Sequence, residues 1–188
     1  MSKTNKRLAA IGGIGLMMGL VATPGHAREP KEHLVQTVPA GFSEVSTRSQ
    51  PGMVIDEYVP AGETLGTWTR QILVQHFVFK NGYPPPPSRY VNFLIQTWQQ
   101  GCPGAAKPKV GVGYDASGRP AGAAELDCPH NPKTGKPEHT FFQIIRATGK
   151  LYVVQYAFRY EPSDADRVSA VNFLRTAHIE GTAPVSGL

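Results

Sequence analysis

Of 188 residues, 20 are Gly and 17 Pro, while Ala, Val, Ile, Leu, Met, Phe, Trp, Tyr and Cys together make 40%. This is the composition of a turn-rich packed domain rather than of a low-complexity chain, and the length suits one domain. Charged residues reach only 18%, with no internal run of one sign, which argues against a nucleic-acid arm or an acidic tail.

Residues 1 to 27 have the three-part layout of a secretory signal peptide. Lys3, Lys6 and Arg7 precede an uncharged apolar stretch over residues 8 to 22, and small Gly25 and Ala27 stand where a signal peptidase reads. That stretch is shorter than the roughly 20 residues a spanning helix needs, so cleavage after Ala27 is expected and the mature chain starts at Arg28. No cysteine lies near the cut and Lys6-Arg7 is not a twin-arginine pair, which favours the general export route without a lipid anchor. Without the three basic residues of the leader the formal charge falls from +5 to +2. The high isoelectric point, about 9.3, therefore belongs largely to the discarded segment and gives no support to polyanion binding.

Residues 28 to 50 are polar and mixed, with Pro30, Pro39, Gly41 and several Ser and Thr, and read as a loosely held N-terminal arm with one short strand near residues 34 to 38. From Met53 the apolar residues alternate, Met53, Ile55 and Val59 against Asp56 and Tyr58, the period of a half-buried strand. Pro60-Ala61-Gly62 breaks it. Residues 68 to 79 are the longest strand candidate. Trp68, Ile72, Val74 and Val78 mark one face and Leu73, Phe77 and Phe79 the other, as in a central strand covered on both sides.

After Asn81-Gly82 and the run Pro84, Pro85, Pro86 and Pro87, Ser88 is the expected N-cap of a helix. Val91, Leu94, Ile95 and Trp98 fall at i, i+3, i+4 and i+7, Tyr90 and Phe93 widen that face, and Gly101 and Pro103 stop the helix. Residues 110 to 115 and 121 to 128 flank the turn sequence Ala116-Ser117-Gly118-Arg119-Pro120 as a hairpin, and residues 139 to 147 pair with 151 to 160 across Thr148-Gly149-Lys150. In the last of these strands Tyr152, Val154, Tyr156, Phe158 and Tyr160 all point one way. That face needs a cover.

The final helix, residues 164 to 178, supplies one. Ser163 is its N-cap with Asp166 in the capping-box position, and Val168, Val171 and Leu174 beside Ala170, Phe173 and Ala177 form its apolar stripe. Residues 181 to 188 read as a disordered tail. The whole predicts an α+β domain over residues 51 to 180, in the order β-β-α-β-β-β-β-α, with an antiparallel sheet of five to six strands and two packed helices.

Little in the chain points to chemistry. Cys102 and Cys128 form a single expected disulfide in an exported chain. A zinc site joining them to His130 and His139 is disfavoured, because Cys128-Pro129-His130 lacks the usual ligand gap. Gly111-Val112-Gly113-Tyr114-Asp115-Ala116 matches a dinucleotide fingerprint, yet a turn and not a helix follows. No G-x-S-x-G occurs. Asp56 and Glu57 fall on opposite faces of a strand, so His76 with a carboxylate is the remaining hydrolytic pairing. The proline run from Pro84 to Pro87 after Tyr83 offers a polyproline II segment to a partner and equally a stiff lead into the helix. Gln75, Gln155 and Arg159, polar groups among aromatic residues, are the candidate ligand-binding set, against the alternative that they are hydrogen-bonded structural groups.

Gly62-Glu63-Thr64, Trp68-Thr69, Gln75 and Leu151-Tyr152-Val153-Val154-Gln155 resemble a pattern in small exported bacterial proteins without an assigned activity. The order of elements resembles the PsbP and Mog1-like α/β/α sandwich, and that resemblance implies an accessory or binding protein and assigns no functional residue. The reading reached from sequence is a non-catalytic periplasmic binding or accessory protein without a cofactor, whose partner is an envelope protein or a small ligand. Nucleic-acid binding and stable membrane insertion of the mature chain are not expected. The rivals are a small cell-envelope hydrolase using His76 and a module docking through Pro84 to Pro87.

Overall fold

Strand formation follows the alternation, and helix formation follows the stripes. The computed structural model describes residues 32 to 181; the expected signal peptide, the first residues of the arm and most of the expected tail lie outside them. The strands are β1 (His33–Val35), β2 (Phe42–Gln50), β3 (Met53–Pro60), β4 (Arg70–Val78), β5 (Lys109–Tyr114), β6 (Pro120–Asn131), β7 (Lys136–Ala147), β8 (Lys150–Phe158) and β9 (His178–Glu180). Helix α1 (Pro87–Gly101) lies between β4 and β5, and α2 (Asp164–Thr176) between β8 and β9.

Seven strands form one antiparallel sheet in the order β2-β3-β4-β8-β7-β6-β5, two meanders joined where β4 pairs with β8. The α+β class stands; the strand count of five to six is corrected to seven. The additional strand is β2, from the segment expected to be a loose arm. Its sequence, Phe-Ser-Glu-Val-Ser-Thr-Arg-Ser-Gln, is exposed along almost its whole length, and an edge strand wetted on both faces has no need of an apolar alternation. The strand expected near residues 34 to 38 is β1, which pairs with β9 in a separate two-stranded sheet.

The two helices cover opposite faces. On one, Val91 packs with Ala124, Leu126, Phe142, Ile144, Leu151 and Val153, with Leu94, Ile95 and Trp98 against them. On the other, Ala170, Phe173 and Leu174 of α2 join Tyr152, Val154, Tyr156 and Phe158, so the aromatic face of β8 is covered as its pattern requires. Phe93 and Val168, expected in the buried stripes, are instead exposed. Trp68 also leaves the expected strand, turning back to pack with Val59 and Ala157.

Helix α1 starts one residue earlier than its expected cap. Pro86 is the N-cap, without a side-chain hydrogen bond, and Pro87 opens the first turn, where its fixed φ suits the helix and its missing N–H costs nothing. At the other end Cys102 is bonded to Cys128 of β6, with a Cα separation of 5.9 Å. The expected disulfide is thus formed, and it removes both sulfurs from the disfavoured zinc set. Among the described residues no cluster of His, Cys, Asp or Glu could hold a metal ion, and no helix is long and apolar enough to cross a membrane.

Close approach of α1 to the sheet depends on Gly122. A Cβ there would stand 2.9 Å from Val91 Cγ2 and 3.3 Å from Pro87 Cβ, inside ordinary contact. Gly122→Ala is therefore expected to destabilise the fold by about 1 to 3 kcal/mol through overpacking, read as a lower urea midpoint. A midpoint equal to wild type would mean that α1 is free to lift away.

Helix α2 carries the full capping box: Asp166 N donates to Ser163 Oγ (3.2 Å) and Ser163 N donates to Asp166 Oδ2 (3.0 Å). The Ser163 hydroxyl, which also donates to Asp166 (2.7 Å), is the main cause holding the Asp166 pKa below its ordinary value, against a smaller opposing effect of burial. The folded carboxyl therefore takes a proton less readily than the unfolded one, and its ionised form favours the folded state above the usual carboxylate range. That contribution is lost as the pH falls from there through the folded value. Ser163→Ala should raise the Asp166 titration midpoint in an NMR pH series; an unchanged midpoint would remove the cap as its cause.

Candidate functional site

Strand β5 is built differently from the rest of the sheet. Its residues, Lys-Val-Gly-Val-Gly-Tyr, are all exposed, and β6 is its one partner at the end of the sheet. The hairpin is set by Asp115, whose Oδ1 accepts from the amides of Ser117 (2.9 Å) and Arg119 (2.7 Å), with Gly118 at a φ of +79°. Gly111 and Gly113 face Ala123 and Ala121 across the pair, while Val110 and Val112 face Ala124 and Gly122. Beyond Lys109, one face of β5 is thus bare backbone. The other holds Val112 and Tyr114, 69% and 68% exposed.

Each face opens into a hollow. On the α2 side a groove of about 420 Å³ has Gly111, Gly113 and Ala123 in its floor and Val171, Leu174 and Arg175 in its wall. Lys109 and Glu125, bridged at 3.0 Å, line it as well. On the α1 side a cavity of about 640 Å³ is lined by Pro86, Pro87, Val112, Tyr114, Pro120 and Arg146 among others. Both share Val112, Gly113, Tyr114 and Ala121, so β5 separates two concave surfaces while, among the described residues, no strand pairs with its outer backbone edge. The glycine pattern that imitated a nucleotide fingerprint is the strand that leaves this space.

The residues singled out from sequence lie elsewhere. Gln75 pairs with Val153 and Gln155 with Leu73, which makes the two amides diagonal neighbours on the α1 face, both half-buried. Arg159 takes a different course: its guanidinium stacks 3.7 Å from the centre of the Trp68 ring and Nη1 donates to Gly66 O (3.5 Å). Burial is the main cause lowering its pKa, with Glu138 acting the other way. It pins the connection between β3 and β4 to the end of β8. His76 rests 6.0 Å from the Tyr152 ring centre, and Asp56 accepts from Thr47 (2.9 Å); no hydrogen bond joins His76 to a carboxylate among the described residues. Pro84 and Pro87 are buried in the domain itself, which fits a lead into α1 better than a free docking segment.

One constellation had no sequence signal. His139, 4% exposed, has Nδ1 2.8 Å from Asp127 and Nε2 3.0 Å from Glu161. Arg167 of α2 bridges Glu161 and Glu125. This network ties α2 to β6 and β7, and its members come from four separate segments, so no local spacing could reveal it.

No family model and no curated protein matches this sequence. Among solved structures, the solution structure of cyanobacterial PsbP (CyanoP) from Synechocystis sp. PCC 6803 aligns with a TM-score of 0.52 at 11% identity, over 86% of this chain and 100% of that one. The Ran-binding protein Mog1p of Saccharomyces cerevisiae aligns at 0.42 and 14% identity, over 76% and 83% of the two chains. LpqN of Mycobacterium tuberculosis, described as involved in cell envelope biogenesis, aligns at 0.41 and 12%, over 84% and 88%. The CyanoP likeness establishes a PsbP-like α/β/α fold, as the order of elements led one to expect. At these identities nothing about function follows, and the two lower scores add no weight.

Proposed function

We propose that this chain is a non-catalytic binding or accessory protein of the periplasm, released from its signal peptide after Ala27, whose contact surface is the edge of β5. The observation that carries this reading is the exposed, glycine-interleaved edge strand with a hollow on each face. An unpaired edge presents backbone N–H and C=O groups to an added strand, and natural sheets ordinarily blunt such edges. Here one Lys is the only charge on the strand, and the neighbouring hollows provide room for alternate side chains of an incoming extended segment, the arrangement used in recognition by strand addition. The partner proposed is an extended segment of an envelope protein. The disulfide supports an oxidising compartment.

Gln75 and Gln155 are retained as a separate polar spot beside α1, where an amide pair can orient a small ligand. The reading is tested on protein recovered from the periplasm by native mass spectrometry. The chain should begin at Arg28, and a co-purifying species should be retained by wild type and lost from Val112→Lys, which puts a second charge on the exposed edge. A species held equally by both proteins would overturn the β5 assignment, and one lost from Gln155→Ala alone would move the site to the amide pair.

A further inference from the structure

The larger hollow beside β5 contains a charge that the fold does not use. Arg146 lies on β7 and lines the cavity on the α1 side, where the other lining residues are prolines, Ser88, Val112, Tyr114, Ala121 and glycines. Its side chain is half-buried, and its Nε is buried without a hydrogen-bond partner among the described residues. Among the described residues no hydrogen bond or ion pair engages the guanidinium, and Asp115 and Glu32 have other partners. Asp115 is held by the amides of Ser117, Arg119 and Ile179, and Glu32 by Arg119 and Thr148. The first turn of α1, which forms one wall, carries no acidic residue but does carry exposed Arg89, so the positive end of that helix is not offset either.

We propose that this cavity binds a carboxylate carried on an apolar or aromatic body, with Arg146 as its anchor. A guanidinium is a planar fork of donors suited to a carboxylate, and no acceptor among the described residues occupies this one. Pro86, Pro87, Pro120 and the Tyr114 ring supply the apolar walls, and about 640 Å³ lies within the range that holds a small molecule or a few residues. The inference deepens the reading of β5 as a contact surface by naming the chemistry of what enters beside it, and rests on that reading for its position.

The test is calorimetric titration of the mature protein at fixed ionic strength with phenylacetate, phenylacetamide and inorganic phosphate. Phenylacetate should bind saturably, in about the millimolar range expected of so few atoms. Phenylacetamide should bind about tenfold to a hundredfold more weakly, since it lacks the charge-assisted hydrogen bonds, and Arg146→Gln should lose the same factor for phenylacetate. That variant should keep its circular dichroism and melt no lower than wild type, because the charge removed has no partner to lose. Lys133→Gln, which removes an equal charge at the opposite end of the β6 and β7 pair, should bind as wild type does. A peptide ending in Val-Val-Phe that binds more tightly with a free carboxylate than phenylacetate does would assign the acid to a chain end, and the reverse order to a small free acid; either supports the site. Equal binding of phenylacetate by Arg146→Gln, equal binding of phosphate, or no saturable binding overturns it. Such a failure, with the co-purifying species still lost from Val112→Lys, would remove this pocket and leave the edge-strand reading standing.

Discussion

Replacing Phe173 by Ala is expected to lower the unfolding free energy by about 3 to 5 kcal/mol, the range for deleting a buried aromatic ring and leaving a cavity. Phe173 is 8% exposed and meets the Tyr156 ring edge-on at 5.6 Å between centroids. Tyr156 in turn contacts Phe158 at 4.9 Å and Phe42 at 5.9 Å. The ring of α2 therefore closes an aromatic layer reaching from β8 to the residue that opens β2. Domains of this kind have about 5 to 15 kcal/mol in total, so the loss should be obvious in urea midpoints. Arg175→Ala, on the exposed side of the same helix, should cost no more than about 0.5 kcal/mol. Equal midpoints for the two variants would mean that α2 is not the cover of the sheet.

That layer was legible in the sequence because both partners announce themselves locally. Four residues alternate on one side of β8, and α2 has a capping box at its start and an apolar stripe at helical spacing, so each surface predicts the other. The disulfide was equally accessible, since a sequence with two cysteines allows one internal pairing. Strand β2 was not, because solvent on both sides erases the alternation by which strands are recognised. Three-residue β9 is too short to show any period, and its partner β1 lies at the other end of the chain.

The candidate site was hidden for a different reason. The hairpin of β5 and β6 could be read from its turn residues, but the exposure of β5 depends on its place at the end of the sheet, which is set by how two meanders join. The unpaired state of Arg146 likewise depends on which acids other segments consume. Gln75, Gln155 and Arg159 stood out in the sequence only as polar groups among aromatic residues; the register makes the two amides diagonal neighbours, and the return of Trp68 over the sheet places its ring against Arg159.

Removal of Glu32 should cost about as much as loss of the Phe173 ring, and by another mechanism. Glu32 and Arg119 form a 2.7 Å ion pair with side chains only 5% and 3% exposed. The same carboxylate accepts from Thr148 N (2.6 Å) and Thr148 Oγ1 (3.1 Å), and Lys150 donates to the Glu32 carbonyl at 3.3 Å. On the other side of Arg119, Asp115 receives both the Arg119 amide and that of Ile179, so the small β1 and β9 pair is fastened to the turns of two hairpins by polar contacts. Glu32→Ala leaves a guanidinium buried without this partner, and breaking such a pair from one side costs about 3 to 5 kcal/mol. Glu32→Leu combined with Arg119→Met removes both charges together, and the double variant should be more stable than Glu32→Ala, because desolvation is no longer owed on either side. Midpoints in urea, repeated at high salt, distinguish the cases, since screening barely reaches a buried pair. A Glu32→Ala protein within about 0.5 kcal/mol of wild type, the range of an ordinary surface substitution, would show that the Glu32 carboxylate does not hold the N-terminal segment in place.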